Sequence, residues 1–372
     1  MTKFSKNTFS VKMFQKALGF ADWMQNLPNK MMPPPMRLMQ LGSLFWQSRV
    51  LYVVTRLNIA TLLGDQKLPV RELATKATCN SDSLYRLLRM LISMGIFAEP
   101  ESGVIANNKV STFLNDAHPQ CVRAMILMHN SPEMTKPWIE ELENGICSGE
   151  IPFSLAHGNN LFDYMDSNPN FENLFSKAMD STEALVGNSF LTDFDWGLYE
   201  RLIDVGGSKG SKTIAILKEY PQLKAVVFDR PQVIEEAQNY WQDKVDASVL
   251  SRIEFVGGDA RESVPTANGD RDIYLLCAVL HGLSDTDSVQ ILRNISHASG
   301  SFKTDLAILD AVLSEHSESL MLTSFDMQML MGTEGRERTA KEWECLCAKG
   351  GYSIEQTFNT RSLWKLQLLR MG

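Results

Sequence analysis

The chain has little of what disulfide-stapled, zinc-binding or membrane-spanning proteins are built from. Its 372 residues include six cysteines, at 79, 121, 147, 277, 345 and 347, and none forms a C-x-x-C pair. Neither a disulfide framework nor a zinc site is expected, and Cys345 and Cys347 read as ordinary helix positions. No stretch approaches the ~18 uninterrupted apolar residues of a membrane span. The opening MTKFSKNTFSVKMFQKALGFADWMQNL carries lysines but no apolar core of signal-peptide length. A cytoplasmic location is the expectation. Positive charge is short as well: 36 Lys and Arg stand against 44 Asp and Glu, a formal net charge of −8. Nucleic acid and anionic membranes select basic surfaces, so neither is an expected partner.

What is present divides into two halves. Up to about residue 180 every apolar pattern has helical spacing. LFWQSRVLYVVTRLNIATLL (44–63) is apolar almost all round and must be buried, in its own domain or against another subunit. Nineteen methionines supply adaptable apolar surface of the kind found at interfaces and small-molecule pockets. LPVRELATKATCNSDSLYRLLRMLISMGIF (68–97) reads as two short helices turning near Cys79–Ser81. A hairpin follows in AEPESGVIANNKVSTFL, which completes the grammar of a winged helix. Such a motif can enter a DNA major groove, but its second helix offers only Arg86 and Arg89 beside Leu84, Leu87, Leu88, Leu91 and Ile92. A scaffold or dimer role is expected instead.

The second half alternates strand and helix, the pattern of a doubly wound parallel sheet. Strands are expected at RLIDVG, KAVVFD, RIEFVG, DIYLLCAVL and DLAILDAVL, and the closing YSIEQTFNT and SLWKLQLLR should pair as an antiparallel hairpin. DVGGSKG sets Gly206, Gly207 and Gly210 between a strand and a helix, where the backbone turns tightly and a ligand can approach it. The spacing is not the dinucleotide fingerprint, and nothing in it specifies a phosphate. Asp229 ends the second strand, placed to accept hydrogen bonds from the ribose hydroxyls of an adenosine ligand, and Asp259 follows the third. His281 follows the fourth and Asp310 closes the fifth. Taken singly, a loop Asp commonly caps or turns, and a His after an apolar strand commonly sits in a core. Together they mark one sheet edge, where open α/β sheets bind ligands.

The order of these motifs resembles the small-molecule O-methyltransferases that use S-adenosylmethionine, in the branch with caffeate, hydroxyindole and bacterial polyketide-tailoring enzymes. DVGGSKG, VVFDRPQVIEEA, GGDARESVP, LHGLSDTDSVQILRNI and GTEGRERTAKEWECLCAKGGY match that family's segments in order. The resemblance implies a Rossmann-like seven-stranded domain whose last hairpin is antiparallel, preceded by an all-helical winged-helix dimerisation domain. Domains at 1–117 and 118–372 follow, with 118–195 a helical linker lining the substrate pocket. It implies S-adenosylmethionine as cofactor, a homodimer, and His281 as general base flanked by Asp310 and Glu337. Asp204, Gly206, Gly207, Asp229, Arg230, Asp259, Ala260 and Cys277 fall on the cofactor side. Phe162, Met165, Phe175, Met179, Met327 and Met331 match pocket-lining positions, with Met128 and His129 as further candidates. Apolar residues at helical spacing equally make plain core.

A sulfonium-to-oxygen methyl transfer needs an aligned acceptor that loses a proton. A phenol at ~10 and a histidine at ~6.5 leave roughly 5 kcal/mol uphill, which a carboxylate beside the imidazole reduces. No cluster of oxygen ligands suggests a divalent metal, so a metal-independent reaction is expected. Four departures from the family pattern stand out: Ser208 in place of a third glycine, Ala260–Arg261 in place of bulky apolar residues, Cys277 in place of lysine, and Gly282–Leu283 in place of Asp–Trp. They are expected to loosen cofactor contacts and leave the base in place. Thr339 and Glu342 are spaced as a capping box. A tailoring enzyme that uses the cofactor for pericyclic, hydroxylation or decarboxylation chemistry is the alternative, and a DNA-regulatory protein a third.

Overall fold

The computed structural model describes residues 3–186, 188–315 and 319–372. The chain forms two compact units, one of residues 23–186 and one of residues 1–22 with 187–372. This division falls well beyond the expected boundary at 117/118. The reason is local: the helices Arg123–His129 and Pro169–Val186 pack on each other, and the first of them on Leu44–Arg56. Among the described residues no helix is long and apolar enough to cross a membrane.

In the 23–186 unit, the run read as one helix breaks in two, Leu44–Arg56 and Ile59–Leu63, because Asn58 takes a left-handed φ of +57°. Three short strands, β1 (Lys67–Pro69), β2 (Phe97–Glu101) and β3 (Val104–Asn107), pair antiparallel in the order β1-β3-β2. The expected hairpin is therefore present, with a third strand added. Between them lie the helices Val70–Lys76 and Ser81–Ser93, the second capped by the Asn80 side chain. Leu84, Leu88 and Leu91 recur every three or four residues and bury against Val54, Leu63, Leu73, Phe97 and Ile105. By contrast Met36, Leu38, Met39, Phe45 and Trp46 are each more than half exposed in this chain.

The second unit holds a seven-stranded sheet. Its strands are β4 (Arg201–Val205), β5 (Lys224–Asp229), β6 (Ile253–Gly257), β7 (Asp272–Cys277), β8 (Asp305–Asp310), β11 (Tyr352–Asn359) and β12 (Lys365–Met371). Two short strands, β9 (Val312–Leu313) and β10 (Arg338–Thr339), form a separate parallel pair. The order is β11-β12-β8-β7-β4-β5-β6, parallel from β8 to β6, with the last two strands antiparallel.

The strands read as unbroken apolar runs because both faces are covered. On one face Ile203, Val226, Tyr274, Leu276, Leu306 and Ile308 pack against Ile291, Leu292 and Ile295 of the helix Asp285–Ser299, and against Trp343. Their alternates Leu202, Ala225, Ile273, Leu275, Ala307 and Leu309 pack against Ile214, Ile216 and Leu217 of the helix Ser211–Glu219, and against Phe194, Trp196 and Tyr199. Parallel order puts the carboxyl ends of β4 to β8 at one edge, and register pairs Val205 with Phe228, Asp229 with Gly257 and Cys277 with Leu309.

Candidate active site

β7 stops at Cys277, three residues before the end expected from the apolar run. Ala278 takes a left-handed φ of +53°, which no strand continues, although its amide still donates to the Leu309 carbonyl at 3.1 Å. The run stays apolar because Val279 packs toward Gly206 and Leu280 enters the core. His281 therefore rides a 3-10 turn, Leu280–Gly282, beyond the strand end rather than on it. It is not a helix cap either: Ser284 caps the next helix, accepting from the Asp287 amide at 3.1 Å.

Three residues meet there. His281 Nδ1 lies 2.8 Å from Glu337 Oε1 and 3.7 Å from Asp310 Oδ1. The carboxylates are 1–2% exposed and the imidazole 20%. An ionised carboxylate only accepts, so the geometry assigns the proton to Nδ1 and leaves Nε2 with its lone pair when the ring is neutral. Burial pulls the His281 pKa down and Arg338 opposes protonation, but the charges of Asp310 and Glu337 outweigh both and raise it to about 9. Burial lifts Asp310 to about 6 against the pull of His281. Asp310 Oδ2 and Glu337 Oε2 are buried without a hydrogen-bond partner. One donor atom from each of the three residues fits within a 4.8 Å span, close enough to surround a cation as well as a proton.

Glu337 is placed by its own segment. Its amide donates to Asp326 Oδ1 at 2.9 Å, while the capping box of the following helix is made by Thr339 and Glu342, as their spacing predicts. Two residues that sequence reasoning passed over complete the arrangement. A Cβ on Gly335 would overlap the His281 carbonyl oxygen and come within 2.6 Å of the Gly282 carbonyl carbon. Arg338, 1% exposed, lies under the turn and bonds to it. The glycine in GTEGRERT was the one available signal for the first; an arginine reads as surface until its burial is known.

The glycine loop follows β4 with left-handed φ values of +74° at Gly206, +52° at Ser208 and +80° at Gly210. Ser208 thus holds a conformation that costs a side-chain-bearing residue roughly 1–2 kcal/mol. Asp229 Oδ2 accepts from the Ser208 amide at 2.8 Å and Oδ1 from the Arg230 amide at 2.7 Å. Asp204 is buried beneath the loop, accepting from Thr213 Oγ1 at 2.6 Å, and would lie 2.7 Å from a Cβ on Gly207. Asp259 is gripped by Arg261 through both oxygens, at 2.7–3.2 Å, which holds its carboxyl below the usual range. The Ala260 carbonyl accepts from Asn294 at 2.8 Å, Arg230 is exposed, and Cys277 is half-buried at the end of β7.

The apolar candidates are spread over both units. Phe162 and Met179 are exposed, Phe175 half-buried and Met165 buried in one; Met327 is exposed and Met331 fully buried in the other. Met128 is buried and His129 exposed, both in the unit of residues 23–186.

Residues 137–353 match the O-methyltransferase domain family, and residues 39–116 match the O-methyltransferase dimerisation domain. Phenazine O-methyltransferase PhzM of Lysobacter antibioticus is 31% identical over 87% of this chain and 93% of its own length. The 8-amino-8-demethylriboflavin N,N-dimethyltransferase of Streptomyces davaonensis is 28% identical over 85% of this chain and 89% of its own. The crystal structure of LaPhzM superposes with a TM-score of 0.83 at 30% identity, covering 92% of this chain and all of that one. With a Rossmann-like sheet, a matching dimerisation domain and a relative of nearly full length, this chain belongs to the S-adenosylmethionine-dependent O-methyltransferase family.

Proposed function

We propose that this chain, acting in the cytoplasm as a homodimer, methylates a hydroxyl of a small aromatic or polyketide-like metabolite, with His281 as general base and without a metal. One observation carries the reading: the imidazole is hydrogen-bonded through Nδ1 to buried Glu337, with the buried Asp310 carboxylate 3.7 Å away. With its pKa raised to about 9, His281 comes within about one unit of a phenol, so the uphill transfer falls from roughly 5 to roughly 1.4 kcal/mol. The 2.8 Å contact to Glu337 is the length of an N–H···O hydrogen bond and is consistent with Nδ1 carrying the proton.

The loop after β4 suits the cofactor. Gly206 and Gly210 take up backbone that side chains resist, and the two Asp229 oxygens each accept one amide and keep further acceptor capacity for ribose hydroxyls. Bound S-adenosylmethionine would supply an electrophilic methyl group. Gly206, Gly207 and Asp229 would hold it, with Asp204 shaping the loop from below and Asp259, Ala260, Arg230 and Cys277 at its margins. His281 Nε2 takes the acceptor proton, and Asp310 and Glu337 stabilise the resulting imidazolium. Phe162, Met165, Phe175 and Met179 in the unit of residues 23–186, and separately Met327 and Met331 in the other, stay proposed acceptor-contacting residues, with a dimerisation domain proposed at 1–117 and a catalytic domain at 118–372.

A second reading, transfer to nitrogen, is favoured by the N,N-dimethyltransferase among the relatives. The test incubates the protein with S-adenosylmethionine and a panel of phenols and aryl amines, with and without EDTA. The expected result is the phenol converted to its methyl ether, heavier by a net CH2, one equivalent of S-adenosylhomocysteine, and no effect of EDTA. Methylation of amines alone would move the reading to nitrogen; a product without added methyl would replace it with non-methylating chemistry.

A further inference from the structure

The turn that carries His281 is clasped by a segment in which the mechanism so far uses only Glu337. Arg338 is 1% exposed, and its guanidinium makes four contacts with the 280–285 stretch. Nη1 donates to the Leu280 carbonyl at 2.9 Å, Nη2 to the Leu283 carbonyl at 3.3 Å and to Asp285 Oδ1 at 2.8 Å, and Nε to the same oxygen at 3.2 Å. The guanidinium also lies 5.3 Å from the centroid of the buried Trp343 ring. The two carbonyls it binds flank His281 on either side. A planar five-donor fork spans two carbonyls and a carboxylate more widely than a point-like ammonium can, and a buried arginine needs such partners.

Charge points the same way. The groups acting on His281 are Asp310 at the end of β8 and Glu337 and Arg338 on the clasping segment; Arg338 is the one cation among them. It moderates the pull of the two carboxylates. Asp285 closes the clasp from the solvent side, 39% exposed, and bonds Arg336 at 3.0 Å as well.

We infer that Arg338 is a positioning residue for methyl transfer: by pinning the Leu280 and Leu283 carbonyls and pairing with Asp285, it fixes where the His281 ring stands. The inference rests on the reading of His281 as base. It makes no contact with substrate or cofactor part of its role, so cofactor binding should be unaffected.

The experiment compares Arg338→Gln, Arg338→Lys and Asp285→Asn, each alone and with His281→Ala, reading kcat, KM for S-adenosylmethionine and the pH profile of kcat/KM. Arg338→Gln is expected to lower kcat 10- to 100-fold, leave KM within two-fold, and move the rising limb of the profile to higher pH. Arg338→Lys should restore the limb and only part of kcat, because an ammonium cannot span all three acceptors. Asp285→Asn, changed at the exposed end, should lower kcat several-fold in a folded protein and covers the case in which Arg338→Gln fails to fold. In the His281→Ala background all three should cost less than two-fold. If they cost as much there as in wild type, or if kcat falls only in step with the folded fraction and the limb stays put, the inference fails and the base reading stands. If His281→Ala itself keeps full rate, both fail.

Discussion

Asp259 and Arg261 show how one substitution alters a site without touching its backbone. The family pattern has a bulky apolar residue where Arg261 stands, and here the guanidinium holds both carboxylate oxygens of Asp259, a proposed cofactor residue. The pair is 57% and 38% exposed, so its own worth is on the order of 0.2–1 kcal/mol. If Asp259 binds the cofactor as proposed, the incoming group must displace that pair. Arg261→Ala is expected to tighten S-adenosylmethionine binding two- to five-fold by calorimetry, with little change in stability; weaker binding would mean that the guanidinium itself holds the cofactor. Ser208, the substituted third glycine, keeps its left-handed turn, and its amide still reaches Asp229. The loop is thus strained and not reshaped.

Elements explain why part of the site could be read from residues and part could not. Asp229 and Asp310 end their strands because successive positions of a sheet covered on both faces must be apolar up to the point where the strand leaves the core. His281 was expected directly at the end of a strand and instead stands on a turn beyond it. Apolarity continued through Val279 and Leu280 for packing reasons, while the strand had already broken at Ala278, whose left-handed backbone no side-chain pattern announces. Glu337 was visible only through resemblance, and the clasp around it depends on contacts across more than fifty residues of sequence. The Gly335 contact makes a sharp demand. Gly335→Ala must push the His281 carbonyl aside, and a displacement near 1 Å at a reacting group costs about 100-fold. We expect kcat to fall by that order with near-wild-type cofactor affinity; unchanged kcat would show that the two segments separate freely.

At the scale of the molecule, the seven-stranded sheet was legible because strands buried on both faces and separated by helices admit few arrangements. The grouping of helices 123–186 with the N-terminal segments was not, since helix-to-helix packing partners leave no periodic mark that distinguishes one neighbour from another. The exposed Met36, Leu38, Met39, Phe45 and Trp46 belong to the same account. A chain that matches a dimerisation domain over 39–116 carries apolar surface that its own fold does not cover.

The account stands or falls on what His281 does when pH changes. A base must be neutral to accept a proton, and two carboxylates keep this imidazole protonated up to about pH 9. The measurement is the pH dependence of kcat/KM for a phenolic acceptor in wild type, Glu337→Gln and His281→Ala. Wild type should rise through neutral pH with a midpoint near 9. Glu337→Gln removes a charge that favours the imidazolium, so its limb should move to lower pH. His281→Ala should lose a factor of about 10²–10⁴ and the limb with it. A His281→Ala enzyme with undiminished rate and the same profile would contradict the assignment of the base.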